Sequence, residues 1–189
     1  AECGAAGSSN RLDVSYAAPH VDVTDLTSTT MTTETFDSFP RGQWSGGQTA
    51  VGVITGDTVI GEAGIFGGSG GTGNVVTARN TLLTLPTTEC YVGFWWSAGN
   101  ADNNVQLLDA NDNVLETFTA ADLVTILGAC PNDYCGNPNF NFAVSNELFA
   151  YVHLRLPSGF DKVRFYGYGF ELDSISLSIE VPTRSATET

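Results

Sequence analysis

Alternation of apolar and polar positions dominates the second half of the chain, and it is a strand pattern. Val152, Leu154 and Leu156 alternate with His153 and Arg155, while Leu172, Ser174, Ser176 and Ser178 alternate with Asp173, Ile175, Leu177 and Ile179. Successive side chains of a strand point to opposite faces, so the first run offers one face to a core, and the last strand has an aliphatic face and a serine face. Cys90-Tyr-Val-Gly-Phe-Trp-Trp-Ser97 is instead apolar on both faces, with Tyr91, Gly93 and Trp95 on one and Val92, Phe94 and Trp96 on the other. That pattern predicts a central strand covered on both sides, or one whose second face is a binding platform.

Further strands are predicted over 31–39, ended by Pro40, and over 51–54 and 58–60, which flank a hairpin signal at Gly56-Asp57. Val105 to Asp109 and Val114 to Phe118 form a second hairpin around Asn111-Asp112-Asn113, and the last three strands run over 147–156, 160–168 and 170–181. One helix is predicted near 120–127, with Thr119 as its N-cap, Asp122 at the third helical position and Gly128 as its stop. Short strands punctuated by turns make an all-β chain, a β-sandwich of jelly-roll type. Residues 1–30 read as an N-terminal arm or first strand, 31–181 as a single sandwich domain and 182–189 as a flexible tail.

Composition narrows the partners. The 189 residues suit one domain. Seven Lys and Arg against 21 Asp and Glu give a net charge of −14, and Lys162 is the only lysine. Nucleic acid backbones need clustered cations, so nucleic acid is excluded, and anionic lipid is disfavoured for the same reason. No 18-residue apolar run offers direct membrane insertion.

Four cysteines, Cys3, Cys90, Cys130 and Cys135, allow three disulfide connectivities. Cys130 and Cys135 would close a short loop, and Cys90 opens an apolar strand that could anchor the arm through Cys3, so Cys130–Cys135 with Cys3–Cys90 is the expected pairing. The paired knuckles of a zinc site are missing. Disulfides point to an oxidising compartment, and Ala1-Glu2-Cys3 reads as the start of a processed, secreted chain.

Candidate chemistry is sparse. Gly68-Ser-Gly-Gly-Thr-Gly73 has the spacing G-x-G-x-x-G, but the β-branched run Val75-Val76-Thr77 follows where a dinucleotide site needs a helix. Asp109-Ala-Asn-Asp-Asn113 starts like an EF-hand loop, yet Val114 stands where glycine is required. His20 and His153 are the two histidines, the residue type suited to acid–base work near neutral pH, and no Ser or Cys partner can be assigned to them, so catalysis is not expected. Among the aromatic residues, Trp44 and Tyr168 are the candidates for a surface that stacks on sugar rings.

Several segments, taken in order, resemble a known family. Gly70-Gly-Thr-Gly-Asn74, Tyr91 to Asn100, Asp109 to Phe118 with the following helix, Tyr134-Cys-Gly-Asn-Pro-Asn139, Phe149-Ala-Tyr-Val152, Gly159-Phe-Asp-Lys-Val163 and Gly169-Phe-Glu-Leu-Asp173 resemble exosortase-dependent (PEP-CTERM) surface proteins of cyanobacteria and other Gram-negative bacteria. The resemblance covers about residues 60–180 and implies a secreted, cell-surface or matrix-associated protein of a family with no established enzymatic activity. It stops at Pro182: a family member would continue into a Pro-Glu-Pro sorting signal, whereas Thr183-Arg-Ser-Ala-Thr-Glu-Thr189 follows here, so anchoring is not carried over.

More loosely, Glu34-Thr-Phe-Asp37 and Phe170-Glu-Leu-Asp173 are similar to carbohydrate-binding modules of the jelly-roll type. That similarity implies a structural calcium ion held by carboxylates of the first and last strands, here Glu34, Asp37, Glu171 and Asp173. The expected function is a cell-surface or extracellular-matrix subunit or adhesin, acting by self-association or glycan binding. A calcium-stabilised carbohydrate-binding module is the alternative, and a glycan-active enzyme the second.

Overall fold

The structure is a computed structural model that describes Cys3 and residues 10–184. The other residues of 1–9, and 185–189 at the end of the expected tail, lie outside the described residues. Along the described chain run β1 (Asp13–Tyr16), β2 (Leu26–Thr27), β3 (Thr32–Glu34), β4 (Gly42–Thr49), β5 (Gly52–Glu62), α1 (Ala63–Phe66), β6 (Asn74–Ala78), β7 (Thr81–Ser97), β8 (Asn104–Leu108), β9 (Val114–Thr119), α2 (Ala120–Leu127), β10 (Cys135–Asn137), β11 (Ala143–Leu148), β12 (Ala150–Tyr166), β13 (Phe170–Ser178) and β14 (Thr183–Arg184). The fold is an all-β, sandwich-like one, with antiparallel pairing throughout.

Three long strands build both layers. The start of β7 lies between β5 and the second half of β12, while its end, Tyr91 to Ser97, lies between the first half of β12 and β13. Each long strand therefore bends and passes from one layer to the other, the way sandwich corners are made. In β12 the register breaks between Arg155 and Phe160, across Pro157-Ser158-Gly159. In β5 the bend is at Gly56, whose φ of +119° suits glycine and whose missing Cβ leaves room for the Asn80 carbonyl. β8 and β9 extend one layer beyond β12, and β1 extends the other.

Between the layers sits the main core, with Val92, Phe94 and Trp96 of β7, Val152 and Leu154 of β12 and Ile175 and Leu177 of β13. The opposite face of the β7–β12–β13 layer is also buried, but it is largely polar. Tyr91, Tyr151, His153, Asp173, Ser176 and Ser178 all lie there at 2% exposure or less. The segment from Ala17 to Thr33 covers this face: Thr30 bonds Ser178, Thr33 bonds Ser176, and Ala17 packs with Trp95 and Tyr151. Most of residues 17–33 thus act as a strap over the sheet.

Several expected boundaries move. No hairpin forms at Gly56-Asp57: 52–62 is one bent strand, and the turn lies between β4 and β5 at Thr49 to Gly52. The strand expected over 31–39 shortens to β3, because Phe36 takes φ +61°. The two strands expected over 147–156 and 160–168 are the single bent β12. A bulge at Asp173 and Ser174, the latter at φ +48°, rephases β13, so Leu172 joins Ile175 and Leu177 in the core instead of the serine row. The helix is as expected: Thr119 and Asp122 form a capping box at the start of α2. Within the arm, Asp13 to Tyr16 pair with the chain's own β12. Thr183 and Arg184, at the start of the expected tail, pair with β2.

Candidate functional site

Both disulfides join the expected partners, Cys3 to Cys90 and Cys130 to Cys135. The first ties Cys3 to the central strand, where the Cys3 amide also donates to the Ile179 carbonyl. The second closes the loop after α2.

The four carboxylates expected to share a cation are not brought together. Glu34 is buried and caps its own turn, accepting from the Phe36 amide at 2.8 Å and the Ala50 amide at 2.8 Å. Glu171 lies near Glu147; burial, followed by that neighbouring charge, pushes its carboxyl up to about 7. Asp173 and Asp37 do approach the same place, the glycine-rich loop, and Asp22 of the strap joins them. That loop spends its amides on them: Ser69 donates to Asp173 at 2.8 Å, Gly70 to Asp22 at 2.5 Å and Asn74 to Asp37 at 2.8 Å. Three amides of this stretch are thus taken by the protein's own carboxylates. Burial raises the Asp173 carboxyl to about 8, and the charges of Asp37 and Asp22 push the same way. Among the described residues no group of three or more His, Cys, Asp or Glu is placed to hold a metal ion. The residues present do not fit the expected calcium set.

His153 is fully buried rather than facing solvent. Its Nε2 lies 2.8 Å from Asp25 Oδ1 and its Nδ1 2.9 Å from the Tyr91 hydroxyl, which in turn lies 3.0 Å from Thr24 Oγ1. Burial drives its pKa down to about 4, against the pull of Asp25. The ring is therefore neutral at pH 7, donating through Nε2 to Asp25 and accepting the Tyr91 proton at Nδ1. Both ring nitrogens are engaged inside the protein, Nε2 by Asp25 of the strap and Nδ1 by Tyr91 of the central strand. The Asp109 loop is a hairpin turn in which Asp109 Oδ1 accepts the amides of Asn111 and Asn113.

Of the two aromatic candidates, Trp44 is half-buried and packs on Phe39 with ring centroids 4.8 Å apart, so its faces are largely spent on the core. Tyr168 is 68% exposed, in the turn between β12 and β13. Around it the structure builds an open depression of about 340 Å³, lined by Arg79, Asn80, Asp102, Tyr166, Gly167 and Tyr168. The Tyr168 amide donates to Asp102 Oδ2 at 2.9 Å, and its carbonyl accepts from Asn103 at 3.2 Å and Asn100 at 3.3 Å. The Arg79 guanidinium lies 4.5 Å from the ring centroid and donates to the Tyr168 hydroxyl at 3.3 Å. Arg79 is itself steered by Asp57 at 3.8 Å. The sequence reading missed Arg79 and Asp102, since nothing in their spacing tells that the β6–β7, β7–β8 and β12–β13 turns meet at one place.

No family model matches the chain, and no curated protein matches it. Among solved structures it is similar to the K1 cleaved adhesin domain of Lys-gingipain from Porphyromonas gingivalis W83, at 16% identity and a TM-score of 0.27, covering 90% of this chain and 99% of that one. A likeness at that score carries no functional argument.

Proposed function

We propose that the chain is an extracellular, non-catalytic binding domain of adhesin type that engages glycan through the depression around Tyr168. One observation carries the reading: Tyr168, left 68% exposed, is nevertheless held, its ring and hydroxyl by Arg79 and its backbone by Asp102, Asn100 and Asn103. Exposed tyrosines ordinarily cost nothing to leave mobile. Holding one rigid beside a carboxylate, a guanidinium and amides makes a surface of the kind that binds sugars, with an apolar plane for the pyranose face and convergent polar groups for its hydroxyls. Tyr166, 50% exposed, adds a second ring.

Two disulfides support an oxidising, extracellular setting. The committed nitrogens of His153 support binding over catalysis. The segment-by-segment resemblance to exosortase-dependent surface proteins agrees with that location. A glycan array followed by titration of the best hit tests the reading. Tyr168→Ala and Arg79→Ala should each weaken binding about tenfold or more, a loss of ~1.4 kcal/mol, while Trp44→Phe leaves it unchanged. Binding that survives both substitutions at Tyr168 and Arg79 would sink the reading.

A further inference from the structure

β9 is a bare sheet edge. Among the described residues it pairs with β8 on one side and with no strand on the other. Its sequence, Val-Leu-Glu-Thr-Phe-Thr, has neither the lysine nor the proline that commonly protects such an edge from other chains. Val114 and Leu115 stand 47% and 42% exposed on it. β1, the edge of the other layer, likewise pairs only with β12.

Two open depressions, of about 510 and 260 Å³, are lined by successive residues of the β9 edge (Val114 and Leu115, then Thr117 and Phe118) and by Asn10, then Leu12 and Val14, on the β1 side, and together they form the groove. Leu12 and Val14 wall it on the β1 side and Leu115 and Phe118 on the β9 side, with Leu156 and Ile126 completing the apolar lining. Its charged lining is of one sign: Asp109, Asp161 and Asp122, with no lysine or arginine among the lining residues. Lys162, whose charge reaches Asp109, is bonded to Asp112 at 2.6 Å. The hydrogen bonds from Asn113 hold the Asp109 carboxyl below its ordinary range, so that charge persists in mild acid.

We propose that this groove receives an extended, basic segment of another polypeptide, added as a strand to the free edge of β9. Backbone pairing supplies affinity in this mode, and alternate side chains supply specificity. The segment lays apolar side chains on Leu12, Val14 and Phe118 and directs Lys or Arg toward the three aspartates. A second copy of this chain is a poor occupant, because it brings a further −14 of charge to an acidic groove. This surface shares no residue with the Tyr168 depression, so its fate is independent of the glycan reading.

The probe is a fluorescent, end-capped nine-residue peptide alternating lysine and valine, titrated by anisotropy against the intact protein. It should bind with an affinity that falls as salt rises, and a glutamate–valine peptide should not bind. An extended strand turns alternate amides toward its neighbour, so of two peptides N-methylated at odd or at even positions, one should lose binding and the other keep it. Asp109→Asn with Asp161→Asn, whose melting temperature shows it folded, should weaken binding about fivefold to tenfold, ~1–1.4 kcal/mol. Equal binding by both N-methylated peptides would overturn strand addition. So would binding unchanged in the double variant, or a homodimer that Leu115→Lys converts to monomer.

Discussion

A histidine with no exposed surface has to satisfy both ring nitrogens inside the protein, and His153 does so only because Tyr91 folds back toward it. Gly93 makes that possible: a Cβ there would overlap the Tyr91 hydroxyl and crowd the Tyr151 ring. The same hydroxyl bridges His153 to Thr24, so one oxygen links central strand, neighbouring strand and strap. Tyr91→Phe removes the proton that His153 Nδ1 accepts and leaves a buried acceptor unmet, which costs about 1–3 kcal/mol. Gly93→Ala should cost about 1–3 kcal/mol by overpacking at the same place. Urea melts of the two variants check both, and a midpoint unmoved by Tyr91→Phe would mean that the hydrogen bond does not hold the strap. Gly93 was visible in the sequence only as a gap in an aromatic strand. Its purpose depends on a tyrosine two residues earlier and a histidine sixty positions later.

At the scale of elements, the sequence marks what local chemistry decides and misses what a bend decides. The capping box of α2, the apolar faces of β7 and the hairpin at Asp109 all follow from neighbouring residues. The long strands do not, because a Gly-Asp or Pro-Ser-Gly interruption reads as a turn even where the chain only turns a corner between layers. The tyrosine site was half legible for a related reason: Tyr168 is flanked by turn glycines, while Arg79 and Asp102 arrive from other turns. The disulfides were legible because four cysteines leave few pairings, and their unequal loops make them unequal in effect. Cys3–Cys90 spans a sequence separation of 87 and Cys130–Cys135 one of 5. Loop-closure entropy gives about 4–5 kcal/mol for the long loop and about 2 kcal/mol for the short one. Replacing Cys3 and Cys90 together by serine should therefore lower the melting temperature more than replacing Cys130 and Cys135. Calorimetry that ranks the two double variants the other way would show that Cys3–Cys90 does not restrain the unfolded chain.

For the whole molecule, three titratable groups of the sheet, His153, Asp173 and Glu171, tie stability to pH. His153 titrates near 4 in the folded protein against an ordinary 6.5, so the native state resists its protonation and loses stability as pH falls from about 6.5 toward 4. Asp173 and Glu171 act in the opposite sense. Their folded values of about 8 and about 7 exceed the ordinary 3.8 and 4.5, so the native state holds protons that the unfolded chain has released. Their contribution is full in acid and is lost as pH rises through 7 and 8. The groups facing them reinforce this: Asp37 and Asp22 bear on Asp173, and Glu147 bears on Glu171. Two carboxyls outweigh one imidazole between pH 5 and pH 8, so the protein should be less stable at pH 8 by on the order of a few kcal/mol. Melting curves in the presence of a chelator, which keeps divalent cations off the carboxylates, should show the midpoint falling from pH 5 to pH 8. Asp173→Asn, which cannot ionise, should flatten that fall without removing it, since Glu171 remains. A midpoint that rises over the same interval would mean that Asp173 and Glu171 are ionised and compensated in the native protein, held by charge rather than by protons.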